Sequence, residues 1–506
     1  MNFYIIAGIC VILYTAFCMV TGLGKRGYDK KGVQTARGYF LGTGTPFTIL
    51  FMTTVASFFS TWIFTGAPGM FFQHGVSWVA SMTWQCMPVL LIGILGSKFY
   101  RLSKEHNYIT PADMMGHYYK SPHLRTSFGI FQLIFLIPLL LGQVSGCGLA
   151  LYALFGGTIP SWVCTLYTTV FVGIYVYFGG FKSQALIDTI QGFIFTFILW
   201  ISIFILVFNE KIGGFGNMWA MVETLNENSL YFITKIRGLT GFWTWKMYLS
   251  FFLAQGLGCM FTPFLWQRMF AAKNGHITKK MAGLLAPYYC FIFMTTALLF
   301  GMLGRAYGVA PANSDSIVIT LTTQYAPLWS ILVVIGVLAA GMSTLSSILI
   351  SATSVVSVDI VGRLKPDLGS KGLRNVGRIS IVFIMLLAIV SGFVTLPGVA
   401  ILANVSAAGW LNCLPPVIGM FYWKRASAAG AFWSFTLAQI CVCVLYIFGI
   451  NPLGFAPAVL AFPLGIILFI GISLVTTPVD PEHRKNYFAC LERSKVPVPA
   501  KLSKSQ

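Results

Sequence analysis

Hydroxyl side chains are concentrated in one apolar segment of the chain, where they could bind a small cation. Residues 339–354 read AAGMSTLSSILISATS, and positions 343, 347, 351 and 354 share one face at helical periodicity. Hard cations prefer oxygen ligands, which hydroxyls and exposed carbonyls supply. The competing interpretation is that these side chains bond to their own helix and permit close packing between helices.

Two aspartates lie in or near apolar segments, where an ionisable side chain is costly and usually functional. Asp188 lies within residues 186–191, and it is either a helix-start cap or part of a cation path. Asp359 is expected at a solvated helix end, near Arg363 and Lys365. None of the six histidines falls in an apolar segment, which argues against a histidine proton relay. Acidic proton carriers are also nearly absent from these segments, which favours a metal cation over H⁺.

The composition excludes a water-soluble enzyme. Hydrophobic residues make up 57% of the 506 residues and charged residues 9%, whereas soluble domains carry about 25% charged residues. Ten of the 11 cysteines fall in apolar segments and none has metal-cage spacing, so neither disulfides nor a cysteine metal site is expected. The sequence also has no nucleophile–base pair, His–acid cluster or phosphate-binding loop.

Thirteen segments are long and apolar enough to cross a bilayer as helices, which takes about 20 residues each. These spans, numbered 1–13, cover residues 2–22, 46–71, 75–97, 127–153, 161–179, 186–208, 246–265, 281–304, 327–352, 379–396, 398–421, 427–449 and 456–476. They are apolar all round, unlike the alternating strands of a β-barrel. The predicted fold class is therefore a polytopic all-α membrane protein.

Basic residues divide unevenly between the loops of this topology. With the N-terminus outside, 28 of the 33 Lys and Arg residues fall in inside loops or the tail, and 5 fall outside. Because basic residues collect on the cytoplasmic side, this predicts a multi-pass protein of the inner (plasma) membrane with a cytoplasmic C-terminus. The net charge of +20 is then explained without a nucleic-acid partner.

Spans 2 and 7 both contain helix-breaking residues, at positions 64–69 and at positions 255–258 and 262–263. In a single helix, glycine and proline can serve only to permit close packing against neighbouring helices. Alternatively, they interrupt the helix, and interrupted backbone at membrane depth is tolerated where it lines a cavity or is buried in protein. Two five-span units of opposite orientation, each opening with a broken helix, are typical of inverted-repeat secondary transporters. Substrate and ion are then expected near the midplane, between the breaks.

The predicted organisation follows from these units. It comprises an N-terminal helix and cytoplasmic loop (1–44), a first repeat of spans 2–6 (45–208), an external loop (209–245), a second repeat of spans 7–11 (246–421), peripheral helices 12 and 13 (422–476) and a cytoplasmic tail (477–506).

Five short motifs, in order, resemble the sodium:solute symporter family. They are YFLG at 39–42, GAPG at 66–69, TPAD at 110–113, GGFKS at 179–183 followed by Asp188 and Gln191, and AGMSTL at 340–345. The resemblance extends from about residue 38 to 475. It implies a five-plus-five inverted-repeat (LeuT-like) core and sodium-coupled symport of a small solute.

The resemblance also implies the residues that hold sodium between spans 2 and 9. By motif match, the ligands are the carbonyls of Ala56, Phe59 and Ala340 and the hydroxyls of Ser343 and Thr344. Some members hold a second sodium ion. The residues that match that second site, or a sodium release path, are Asp188, Ser346 and Ser347.

Within the family, the nearest resemblance is to pantothenate and monocarboxylate carriers, at residues 179–181, 303–306 and 410–412. Proline-carrying members have an Asp where this chain has Phe58, and aromatics where it has Gln255 and Cys259, which argues against proline. No Lys or Arg is expected at membrane depth, so helix N-termini and neutral polar groups would bind an anion. The candidate substrate ligands are Ser57, Ser60, Thr61, Gln85, Gln143, Gln255 and Thr262.

Two alternatives share these features: a solute-sensing membrane receptor with the same fold, and a symporter for an amino acid or a sugar. The tail after residue 477 is about thirty residues, too short for a signalling domain. We therefore expect that a sensor would need a separate partner protein.

Overall fold

The computed structural model describes residues 3–24, 32–224, 244–310, 314–394 and 396–493. Over these ranges the regular elements are helices, and β-structure is limited to isolated bridges, at Thr45–Ala272 and Ser427–Pro478. Within the same ranges, 11 helical segments are long and apolar enough to cross a membrane. The predicted class, a polytopic all-α membrane protein, is confirmed.

The number of crossings stays a prediction. Two of the 11 segments have 46 and 47 residues, more than twice the length of one crossing. Predicted span 2 begins in a helix of 13 residues, Phe47–Phe59, which is shorter than those 11 segments. The breaks and kinks within helices therefore decide how many crossings are counted.

We number the longer α-helices in chain order. The first half of the chain contains α1 (Phe3–Leu23), α2 (Ala36–Leu41), α3 (Phe47–Phe59), α4 (Gly66–His74), α5 (Ser81–His106), α6 (Pro111–Tyr118), α7 (Pro122–Leu154), α8 (Ser161–Val207) and α9 (Phe215–Thr224).

The second half is also helical. It contains α10 (Trp245–Phe251), α11 (Pro263–Ala271), α12 (Gly275–Tyr288), α13 (Thr295–Ala306), α14 (Ile317–Tyr325), α15 (Pro327–Val355), α16 (Gly369–Val390), α17 (Val399–Leu411), α18 (Leu414–Tyr422), α19 (Ala428–Ile447), α20 (Pro457–Val475) and α21 (Pro481–Arg493).

Helix α15 forms the centre of the bundle. Every residue from Val333 to Val355 is buried, and the helix packs against α3, α7 and α8. The helix is therefore buried on all sides, its hydroxyl face included, and its small residues let neighbouring backbones approach closely. By contrast, α1, α19 and α20 carry highly exposed apolar side chains such as Leu13, Ile447 and Val475, so they form part of the periphery.

Helix α8 contains predicted spans 5 and 6, which meet at a kink. Gly180 has φ 61° and ψ −155°, and a Cβ there would lie 2.6 Å from the carbonyl oxygen of Tyr39. Both the backbone angle and the close approach require glycine. The kink separates the two halves of α8, and the half that follows it carries Asp188.

Loops predicted on the same side of the membrane contact one another. At the basic end, Arg37 donates a hydrogen bond to Asn107, and Tyr100 donates one to the carbonyl of Lys273. At the other end, Lys211 Nζ donates to the carbonyl of Tyr307. The two groups of loops therefore lie at the two ends of the bundle. Which end faces the cytoplasm stays a prediction.

Asp359 does not lie at a solvated helix end, and that expectation is wrong. Its side chain is fully buried. Arg125 of α7 donates a hydrogen bond from Nε to its Oδ1 at 2.8 Å, and the same guanidinium lies 3.1 Å from Oδ1 of Asp113. A buried carboxylate needs a counterion, and the partner comes from a helix distant in sequence.

Candidate functional site

The first helix break begins at Ser60. Helix α3 ends at Phe59, Ser60 has φ 56° and ψ −170°, and one 3-10 turn, Thr61–Ile63, precedes α4. The predicted break at 64–69 lies a few residues too late, because Pro68 falls in the first turn of α4, where proline is tolerated. A non-glycine residue in this strained backbone region is typical of functional sites.

The second break lies where the sequence predicts it. After α10, residues Phe252–Gly258 form a wide π-helical turn and Cys259–Phe261 a 3-10 turn, and α11 begins at Pro263. A Cβ on Gly258 would lie 2.3 Å from the carbonyl oxygen of Ala407. Glycine therefore lets α17 approach the break closely.

Four of the five predicted sodium ligands meet at the contact between α3 and α15. The Ser343 hydroxyl lies 2.9 Å from the carbonyl oxygens of both Ala56 and Ala340. The Thr344 hydroxyl lies 3.4 Å and 3.2 Å from the same two oxygens. The fifth ligand, the Phe59 carbonyl, ends α3, where carbonyls lack helical donors. We call these groups the neutral layer, because none is charged.

A carboxylate lies next to the neutral layer. Oδ2 of Asp188 accepts hydrogen bonds from Thr53 Oγ1 and Gln184 Nε2, both at 2.7 Å, and Oδ1 accepts one from Ser346 Oγ at 3.2 Å. Ser346 also donates to the Ser343 carbonyl at 2.8 Å. Asp188 is fully buried in the middle of α8. The helix-start interpretation is therefore wrong.

Arg268 of α11 is the counterion of Asp188. Its Nη2 lies 3.5 Å from Asp188 Oδ2 and 2.8 Å from Ser347 Oγ, and it also contacts Ser57 Oγ. The side chain is 1% exposed. The guanidinium thus contacts two of the three residues predicted for a second sodium ion. We call Asp188 and Arg268, with the hydroxyls of Thr53, Ser57 and Ser347, the charged layer.

The burial of Arg268 overturns the expectation that no Lys or Arg lies at membrane depth. In the sequence, Arg268 follows span 7 and is counted with an inside loop. In the structure, every residue of α11, Pro263–Ala271, is buried. Pairing with a carboxylate and several hydroxyls offsets much of the cost of taking a guanidinium out of water.

Five of the seven candidate substrate ligands line one cavity beside the two breaks. They are Ser57, Ser60, Gln85, Gln255 and Thr262. Thr344 also lines the cavity, so the cavity borders the neutral layer. Its volume is about 60 Å³, whereas small-molecule pockets usually measure about 300–1,000 Å³. The cavity must therefore widen to admit a substrate.

The other two candidates, Thr61 and Gln143, do not line this cavity. Gln143 Oε1 accepts hydrogen bonds from the backbone N–H of Thr61 at 3.0 Å and from its hydroxyl at 3.1 Å. The pair therefore satisfies a donor that the helix break leaves free. Their contacts indicate support of the break rather than a direct contact with substrate.

Three cavity-lining side chains carry buried N–H groups that have no acceptor within the described residues: Gln255 Nε2, Trp62 Nε1 and Trp410 Nε1. The Gln255 carbonyl oxygen accepts from Cys259 Sγ at 3.0 Å, so its amide nitrogen is the unsatisfied end. An unpaired buried donor costs about 1–3 kcal/mol. Among the described residues, no cavity-lining side chain has a buried acceptor without a hydrogen-bond partner. The wall thus suits a ligand rich in acceptors.

Sequence reasoning does not select Trp62, Trp410 or Arg268. Aromatic residues make up 15% of the chain, so no tryptophan stands out by type or spacing. Trp410 does belong to the motif at 410–412 that resembles pantothenate carriers. For Arg268, the one indication in the sequence is that it lies only five residues after the break at 262–263. A residue so close to the break is still inside the bundle.

Comparisons with known proteins agree with the geometry. The profile of the sodium:solute symporter family matches residues 39–437. The chain is 28% identical over 432 residues to the sodium/pantothenate symporter of Haemophilus influenzae, covering 83% of this chain and 86% of that protein. It is 25% identical over 438 residues to the sodium/proline symporter of Escherichia coli, covering 82% and 83% of the two chains.

The fold is shared with a solved structure, the substrate-bound outward-open state of a Na⁺-coupled sialic acid symporter. The TM-score is 0.77 over 95% of this chain and 100% of that chain. The sequences are 18% identical, so this likeness establishes a common fold.

Proposed function

The chain belongs to the sodium:solute symporter family, and from this premise we propose that it imports a small carboxylate, pantothenate or another monocarboxylate, by alternating access. Membership makes it a sodium-coupled symporter rather than an enzyme, embedded in a membrane by many helices, with sodium as the coupling ion. The substrate, the direction of transport and the ligand residues are the proposed part.

The unpaired donors of the cavity support a carboxylate substrate. A carboxylate only accepts hydrogen bonds, and it can accept several at once. Gln255, Trp62 and Trp410 each present a buried N–H without an acceptor within the described residues. No Lys or Arg lines the cavity in that part of the chain. The similarity to a sodium/pantothenate symporter agrees with this chemistry.

Shared residues would couple the solute to sodium. Thr344 lines the cavity and lies within 3.4 Å of the Ala56 carbonyl in the neutral layer. Sodium would bind first, draw α3 and α15 together and stabilise the outward-open substrate site. The loaded core would then rock inward, and Asp188 would help sodium leave toward the cytoplasm.

Uptake by purified protein in proteoliposomes tests the proposal. Labelled pantothenate should accumulate under an inward sodium gradient and not under a matched potassium gradient. Unlabelled monocarboxylates should compete, whereas proline and glucose should not. Uptake that ignores the sodium gradient would refute the proposed coupling, and competition by proline alone would favour the amino-acid alternative. A solute-sensing receptor would bind solute without flux.

A matched pair of tryptophan variants tests the donors. Trp410→Phe keeps the ring but removes the N–H, and it should raise the KM for a carboxylate about tenfold, since a hydrogen bond to a charged group contributes about 1.5–3 kcal/mol. Trp200 also has a buried Nε1 without a partner in the described residues, but it stacks on Phe291 away from the cavity. Trp200→Phe should leave KM unchanged, and equal effects of the two variants would contradict the assignment.

A further inference from the structure

A basic pocket lies at one end of the bundle, apart from the transport site. It has a volume of about 460 Å³, and its walls come from α5, α12, α18 and α21. Three cationic side chains, Lys98, Arg101 and Lys279, face one carboxylate, Glu492, for a net charge of +2. Such a surplus of positive charge suits an anionic ligand.

The pocket also has an aromatic side, and Lys98 is oriented along it. Lys98 Nζ donates a hydrogen bond to Tyr422 Oη at 2.7 Å and lies 5.1 Å from the ring centroid of Phe421. Tyr422 is 55% exposed. An exposed tyrosine beside lysines is typical of the level at which lipid headgroups meet the hydrocarbon.

An apolar surface continues from the pocket along α5 and α12. Leu90 and Ile94 precede Lys98 at intervals of four residues, so the three share one helix face. Both apolar side chains are highly exposed, as is Leu284 on α12. The two helices run antiparallel in close contact, since a Cβ on Gly93 would lie 3.5 Å from that of Ala282, and one on Gly96 would lie 3.2 Å from that of Thr278.

From this combination we infer that the pocket binds the headgroup of an anionic phospholipid, whose acyl chains lie along α5 and α12. A phosphate accepts hydrogen bonds from Lys and Arg, and basic pockets between membrane helices bind anionic headgroups. The apolar surface has no role for a free phosphate ion, so it selects the lipid. Because α21 supplies part of the wall, the lipid joins this last described helix to the membrane helices.

Binding to the purified full-length chain tests the inference without any transport measurement. Delipidated protein is titrated with phosphatidylglycerol or phosphatidylcholine in mixed micelles, and bound lipid is counted by native mass spectrometry alongside the thermal unfolding temperature. Phosphatidylglycerol should bind and raise the unfolding temperature, and phosphatidylcholine should do neither. Inorganic phosphate at the same concentration should give no shift. An equal shift with phosphate, or equal binding of both lipids, would overturn the inference.

Charge variants locate the binding. Lys98→Gln with Lys279→Gln should weaken phosphatidylglycerol binding at least about tenfold. The control, Lys365→Gln with Lys371→Gln, changes the same charge at exposed residues outside the pocket and should leave binding unchanged. Glu492→Gln, at an exposed position, removes the carboxylate from the pocket and should tighten phosphatidylglycerol binding. This variant therefore tests the inference through a gain of affinity, which a misfolded protein would not show. Unchanged affinity in both pocket variants would overturn the inference.

Discussion

Two adjacent polar layers lie at the centre of this protein. One contains only uncharged oxygen groups, and the other contains a carboxylate paired with a guanidinium. In the neutral layer, Ser343 and Thr344 meet the carbonyls of Ala56 and Ala340, and no group carries a charge. In the charged layer, Asp188 is paired with Arg268, a cation that belongs to the chain. We propose that a mobile cation binds among the neutral oxygens, because the carboxylate already has its counterion. We therefore expect one sodium ion per cycle for as long as Arg268 stays in place.

The largest expected effect comes from removing the built-in cation. Arg268→Gln leaves the Asp188 carboxylate buried without a counterion, and breaking a buried pair this way costs about 3–5 kcal/mol. The thermal unfolding temperature of the purified protein should fall sharply. It should recover in part when sodium is added, because sodium can then bind to Asp188.

The double variant provides the control. Asp188→Asn with Arg268→Gln removes both charges, and replacing a buried pair with neutral groups is often close to neutral for stability. It should therefore be more stable than Arg268→Gln alone. If Arg268→Gln unfolds at the temperature of the unaltered protein, the charged layer does not depend on this pair.

A smaller effect is expected from one hydroxyl of the neutral layer. Thr344→Val keeps the side-chain volume but removes an oxygen ligand, so half-maximal uptake should need about tenfold more sodium, equivalent to 1.4 kcal/mol. Thr353 is buried on the same helix, but its hydroxyl bonds to the Leu349 carbonyl of its own helix. Thr353→Val should leave the sodium requirement unchanged. If both variants raised the sodium requirement equally, Thr344 could not be distinguished from a hydroxyl that only packs, and its assignment as a sodium ligand would be wrong.

The smallest effect should come from the next hydroxyl pair along α15. Ser351 donates to Gln267 Oε1 at 2.6 Å, and Gln267 Nε2 donates to Ser354 Oγ at 2.6 Å. Ser351→Ala should lower the free energy of unfolding by about 0.5–1.5 kcal/mol without changing the sodium requirement. A sodium effect as large as that of Thr344→Val would extend the cation path into this pair.

The sequence predicts much of this arrangement, because hydropathy and motif order depend on local residues. The apolar lengths establish the fold class, and the motif match brings the oxygens of Ala56, Ala340, Ser343 and Thr344 to one contact. The break at 255–258 and 262–263 is also located correctly, since glycine and proline act on their own backbone.

The rest depends on contacts between distant segments. Ser60 begins the first break although serine is not a helix breaker. The next residue, Thr61, donates its backbone N–H to Gln143, which lies 82 residues further along the chain. Likewise, Arg268 has the sequence context of a loop residue. Its buried position depends on its contact with Asp188 of α8, which is distant in sequence. Asp359 is misplaced for the same reason, since Arg125 lies 234 residues away.

The most direct test of the neutral layer as the cation site is sodium binding by the purified protein without solute. Thermal unfolding is measured while sodium replaces potassium at constant ionic strength. We expect Ser343→Ala with Thr344→Ala to weaken the apparent sodium affinity by at least about tenfold, and Asp188→Asn with Arg268→Gln to keep it within about threefold. Sodium binding that survives in the first variant and disappears in the second would contradict this expectation.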